Sequence, residues 1–70
     1  MIVRARLKTQ RLDGLEMTDA PIGKEYLVDL STKTRCQWFR EGIPLRWLDC
    51  VEVIDPGGGM LPMELLELIP

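Results

Sequence analysis

Seventy residues suffice for one hydrophobic core and not for two, since a second would need about 50 more, so residues 1–70 are read as a single domain. Apolar side chains make up 46% of the chain and charged ones 29%, which excludes intrinsic disorder. No run approaches the roughly 18 apolar residues of a membrane span, and the first eight alternate charge with apolar side chains where a signal peptide carries an apolar block; a cytoplasmic location with no membrane partner is the expectation. The net charge of −2 divides unevenly: residues 1–47 carry nine cations and six carboxylates, or +3, and residues 48–70 carry five carboxylates and no cation, or −5. Such a split steers a partner or pairs two copies head to tail, or is neutralised between neighbouring strands, and neutralisation is the expected outcome.

Val3, Ala5 and Leu7 alternate with Arg4, Arg6 and Lys8, so the chain opens on a strand with three apolar side chains on one face and three cations on the other. From Thr9 to Gly23 the alternation stops; Asp13-Gly14, Asp19, Pro21 and Gly23 supply turn chemistry, and Leu12, Leu15 and Met17 lay a folded-back loop on the body. Tyr26, Val28 and Leu30 alternate again and predict a second strand, after which Ser31 to Thr34 is expected to turn the chain. A third strand is predicted over Arg35 to Glu41, with Cys36 and Trp38 on one face and Arg35 and Gln37 on the other, ended by Gly42 and Pro44.

Trp47 to Asp55, rich in β-branched and apolar residues, predicts a fourth, centrally buried strand, and Asp55-Pro56-Gly57-Gly58-Gly59 predicts a tight reversal. The last segment is either a short helix opened by Pro62, the favoured first helical position, or one helical turn followed by a strand. Seven residues make a marginal helix, which favours the turn and strand.

Ile22-Gly23-Lys24-Glu25-Tyr26-Leu27-Val28, a glycine-led entry into the second strand, and Gly59-Met60-Leu61-Pro62-Met63-Glu64-Leu65-Leu66, a proline-opened turn, resemble segments of the SH3-like small barrels. The resemblance implies an all-β fold: a five-stranded barrel with a long loop after the first strand and a 3-10 or helical turn near Pro62. Peptide-binding members line a proline-recognition groove with an A-L-Y-D-Y-like first strand and an aromatic pair. Here the first strand is Val-Arg-Ala-Arg-Leu-Lys and Leu65 stands at the second aromatic position, so proline-rich peptide binding does not carry over. Barrels of this kind host many unrelated roles.

Catalytic and metal-binding patterns are not evident. The chain has no histidine, and Cys36 and Cys50, without a CxxC pair, do not form a zinc pattern. The three glycines are followed neither by lysine nor by a long helix, so they read as a turn rather than a phosphate loop. Arg35 and Arg40 near Cys36 are cations of the kind that activate a thiol, but Arg35 lies on the opposite strand face, and both cysteines are expected to be reduced, small packing residues. A non-enzymatic interaction module with no cofactor or metal follows, binding a protein partner or, as the first expectation, its own copy as a homodimer. Its candidate binding residues are Arg35, Trp38, Arg40, Arg46 and Trp47, with Trp38 and Phe39 weighted towards the core and Trp47 the more exposed ring. Leu65, Leu66, Leu68 and Ile69 form a candidate interface, core or both. The alternative is a nucleic-acid-binding barrel in which Arg4, Arg6, Lys8, Arg35, Arg40 and Arg46 meet phosphates, which a pI of about 5.0 disfavours.

Overall fold

The structure, a computed structural model, describes residues 1–70. It is nearly all β, with strands β1 (Ile2–Leu7), β2 (Arg11–Leu12), β3 (Leu15–Glu16), β4 (Glu25–Arg40), β5 (Ile43–Asp55), β6 (Met60–Pro62) and β7 (Leu66–Ile69), and one 3-10 turn over Met63–Leu65. Five of the strands form an antiparallel sheet in the order β6-β5-β4-β1-β7, and β2 and β3 form a separate small hairpin. The edge strands β6 and β7 do not pair with each other, so backbone hydrogen bonds do not close the sheet into a barrel. No helix is long and apolar enough to cross a membrane.

Two hairpins reverse in two residues. Leu12 pairs with Leu15 around Asp13-Gly14, and Arg40 pairs with Ile43 around Glu41-Gly42. In both turns both central residues have positive φ: 52° and 78° in the first, 52° and 79° in the second. That is the type I′ geometry whose twist matches that of the flanking strands. Asp-Gly announces such a turn in a sequence, whereas Glu-Gly does not, because glutamate meets a steric penalty in the left-handed region.

The expected reversal at Ser31–Thr34 is a bend instead, and the predicted second and third strands are the two halves of β4. Sixteen residues at about 3.3 Å each would run roughly 50 Å if straight, but the longest dimension of the molecule is 34 Å. The bend sits where β4 takes five steps, Asp29 to Thr34, against two steps on β5, Glu52 to Cys50. Side chains satisfy the backbone groups released there: Ser31 donates its N–H and hydroxyl to Asp29 Oδ1 at 3.0 and 2.6 Å. Thr32 Oγ1 donates to the Asp29 carbonyl at 2.6 Å and accepts from the Glu52 N–H at 2.8 Å. The turn chemistry read at Ser31–Thr34 is therefore present, but β5 stays paired through it and converts a reversal into a fold of one sheet.

Inside the bend lies one cluster of eight buried residues: Ala5, Leu7, Tyr26, Val28, Val51, Val53, Leu65 and Leu66. Val3 packs against it, as do Leu12 and Met17 from the folded-back loop. Leu65 and Leu66 are 0% and 5% exposed, so of the four candidate interface residues these two are core, and only Leu68 and Ile69 reach the surface. The 3-10 turn causes this by rotating Leu65 into the interior just before β7 pairs Leu66 with Leu7. Met60–Pro62 is a short strand rather than the approach to a helix, and its proline lies on the sheet edge, where no ladder donor is required.

Five ion pairs join neighbouring elements. Arg4 meets Glu25 at 2.5 Å, Lys33 meets Asp49 at 3.9 Å, and the N-terminus meets Asp29 at 3.1 Å. Arg46 takes the other two, with Asp13 and Glu64. Of these, Lys33–Asp49 and Arg46–Glu64 cross the divide between the basic part of the chain and its acidic end, so the split is partly neutralised within the molecule.

Candidate functional site

Beyond the bend, β4 and β5 project as a two-stranded ribbon. Strand β1 pairs with β4 only over Glu25–Asp29 and β6 pairs with β5 only over Cys50–Glu52, so residues 34–49 have no third strand beside them. Alternation along the ribbon gives it two faces. Cys36, Trp38, Arg46, Leu48 and Cys50 point towards the body, and Arg35, Gln37, Trp47 and Asp49 point away from it; all four of the latter are exposed.

The inner face bounds a groove. Leu45 is an extra residue on β5: Trp38 pairs with Arg46 and Phe39 already pairs with Pro44, and such a bulge puts consecutive side chains on one side. Leu45, Arg46 and Trp38 thus face Leu15 and Met17 of the loop. Between them run two adjoining concavities of about 460 and 320 Å³ that share Leu15, Met17, Trp38 and Leu45. Arg11, Glu16 and Arg40 line one end, and Leu12 and Leu48 the other. Arg11 and Glu16 are register partners on β2 and β3, and with Arg40 they give this end two cations to one carboxylate.

Arg46, a candidate ligand-binding residue, is committed elsewhere. Its Nε lies 2.7 Å from Asp13 Oδ2 in an ion pair, and an Nη donates to Glu64 Oε2 at 2.6 Å, tying the β2–β3 turn and the 3-10 turn to the ribbon. The hydrogen bond to Glu64, then the charge of Asp13, hold the guanidinium even more firmly protonated than usual. Asp13 and Glu64 were not legible as its partners, because they lie 33 and 18 positions away with no local signal.

Trp38 is half-buried in the groove floor, its indole N–H enclosed without a hydrogen-bond partner. Beside it Cys36 is half-buried and Cys50 buried, both as free thiols. Burial pushes the Cys50 thiol above its ordinary range. Phe39, weighted towards the core, is 57% exposed and Trp47 51%. Phe39 lies near the ribbon tip, past the last strand able to cover it.

Of the six cations of the nucleic-acid alternative, four have carboxylates beside them. Arg4 and Arg46 hold carboxylates, Arg6 is paired in register with Glu25 and Glu67, and Arg35 lies opposite Asp49. No group of three or more histidine, cysteine or carboxylate side chains is arranged to hold a metal ion.

The acid-sensitive groups have a definite sign. Glu25 is held below the usual carboxylate range by its hydrogen bond from Arg4, and Asp29 by those from Ser31 and then from the N-terminus. A carboxylate whose pKa is depressed on folding contributes stability that is present above its unfolded value, about 4, and lost as pH falls through the folded value. The raised Cys50 thiol acts oppositely: its contribution is present below the unfolded thiol value, about 8.5, and declines above it. Denaturant midpoints should therefore be level between about pH 5 and 8, fall on both sides, and lose part of the acid limb in Arg4→Gln. An acid limb as steep in Arg4→Gln as in the parent would contradict the assignment to Glu25.

No family model, curated protein or solved structure matches the chain.

Proposed function

We propose that the chain is an SH3-like small barrel acting as a non-enzymatic protein-interaction module, whose groove accepts an extended protein segment with apolar side chains and one carboxylate. The barrel reading is supported by connectivity: a hairpin-bearing loop joins the first long strand to the second, a 3-10 turn leads into the last, and the bend of β4 folds the sheet around one core.

The observation that carries the functional reading is the groove itself. Leu15, Met17, Trp38 and Leu45 converge on a concavity open to solvent, and a cleft with apolar walls and few polar groups is the common form of a binding site. Arg40 at its end supplies the match for a carboxylate. A non-enzymatic role fits a chain without histidine whose thiols lie against a tryptophan, and two free thiols suit a reducing compartment such as the cytoplasm.

An unbiased display library of short linear peptides tests the reading. Selected peptides should share apolar residues with an adjacent Asp or Glu and should shift the emission of Trp38, best read in a Trp47→Phe background. Leu45→Glu should weaken them at least about tenfold, which is ~1.4 kcal/mol. Peptides that bind Leu45→Glu as tightly as the parent would remove the groove from the function. Selective capture of labelled single-stranded oligonucleotides, weakened by salt, would favour the nucleic-acid alternative instead.

A further inference from the structure

The ribbon's outer face is a separate surface from the groove, and nothing in the chain covers it. Arg35, Gln37, Trp47 and Asp49 all stand on it and are all exposed. Trp47 at its centre leaves half its surface in water, and a large exposed aromatic ring surrounded by polar residues is the composition of an interface centre. The ribbon's strands, which are both edge strands, carry Arg40 and Pro44, residues that discourage edge-to-edge pairing, while Lys33 reaches the outer face, its Nζ 3.9 Å from Asp49 Oδ2. A partner therefore meets the face, not the edge.

Register identifies that partner. Arg35 lies directly opposite Asp49, and Gln37 directly opposite Trp47. Consider two copies stacked face to face about a two-fold axis parallel to the strands. The operation places β4 of one copy over β5 of the other at the same level. Each Arg35 then faces the other copy's Asp49, whose pair with its own Lys33 is long, at 3.9 Å, and exposed, and each Trp47 faces the other's Gln37, so the face is complementary to itself. Packed sheets lie about 10 Å apart, a gap that an arginine and an aspartate can bridge. We infer that the outer face of the β4–β5 ribbon is the interface of an isologous dimer, centred on Trp47 and oriented by two Arg35–Asp49 pairs.

A two-stranded ribbon offers a contact at the low end of specific interfaces, under about 1,200 Å² in total. A dissociation constant in the micromolar range or weaker follows. The pairs act mainly by excluding other orientations, since exposed ion pairs contribute little by themselves.

Sedimentation equilibrium over concentrations up to about 1 mM, with circular dichroism to confirm folding, tests the inference. The parent should be a concentration-dependent dimer. Arg35→Glu and Asp49→Arg, each placing like charges across the axis, should each weaken association about tenfold or more. An equimolar mixture of the two should regain it. In the mixed dimer the carboxylate introduced in one variant faces the guanidinium introduced in the other, and the remaining contact is the parent pair of Arg35 with Asp49. Trp47→Ser should be monomeric. A monomeric parent, a Trp47→Ser protein that still dimerises, or two weakened variants that fail to rescue each other would each overturn the inference. None of these results bears on the groove, whose peptide binding is measured separately and depends on Leu45.

Discussion

Replacing Leu65 by alanine is expected to remove about half of the domain's stability, whereas the same change at Leu68 leaves it nearly intact. Leu65 is fully buried in the cluster that includes Leu7, Val28 and Val51, and Leu68 is 44% exposed on the edge strand β7. Truncating a buried leucine loses the transfer free energy of the removed atoms and leaves a cavity, together ~2–5 kcal/mol. A chain of this length has in all only about 4–10 kcal/mol. Exposed substitutions of the Leu68 kind stay near ~0.5 kcal/mol. Urea titration of the two variants, with midpoints shifting at constant slope, gives the comparison directly. Equal losses at the two positions would mean that the 3-10 turn does not deliver Leu65 to the interior.

The second large effect is expected from the loop between β5 and β6. Gly57, Gly58 and Gly59 have φ of 86°, 74° and 87°, and the loop is tied at its end by the Val53 N–H, which donates to the Gly59 carbonyl at 2.8 Å. Space is not the constraint: a Cβ on Gly58 would find its nearest neighbour at 3.9 Å, and one on Gly57 or Gly59 none within 4 Å. Only the backbone objects, at ~1–2 kcal/mol for each L-residue forced into the left-handed region. Changing all three to L-alanine should therefore cost ~3–6 kcal/mol, comparable with the whole stability of the domain. The chain is short enough for chemical synthesis, which allows the decisive control. D-alanine at the same three positions favours positive φ and also restricts the unfolded chain, so that variant should be at least as stable as the parent. If L- and D-alanine proved equivalent, the loop would not hold the positive φ values described.

Some of the fold was legible because its cause is local. Val3, Ala5 and Leu7 alternate against Arg4, Arg6 and Lys8, and only an extended strand gives that period a single buried face; the structure buries Ala5 and Leu7 and half-buries Val3. Tyr26 and Val28 follow the same rule, and the glycines after Pro56 mark their reversal without any tertiary context. The turn of helix near Pro62 followed by a strand was legible for the complementary reason that too few residues remain for a stable helix.

The candidate site was less legible, since each of its features depends on segments far apart in the chain. That Arg46 is an anchor follows from Asp13 and Glu64 arriving on either side of it. Phe39 and Trp38 are adjacent aromatics with equal claims on a core, yet Trp38 faces Leu15 and Met17 while Phe39 is largely in solvent. The groove requires the bulge at Leu45, a one-residue mismatch between β4 and β5 that neither strand displays alone.

By itself the sequence determined where the chain is extended, which alternate side chains share a face, and where glycine permits it to double back, because these follow from the geometry of single residues and their immediate neighbours. Only the tertiary structure decided that Asp29–Thr34 bends rather than reverses. The local hydrogen bonds of Asp29, Ser31 and Thr32 serve either outcome, and the choice lies with β5, which remains paired on both sides of the irregularity. The tertiary structure likewise decided which apolar residues are interior, sending Leu65 and Leu66 inward and leaving Trp47 out, since burial is set by the strand that comes to lie across a side chain.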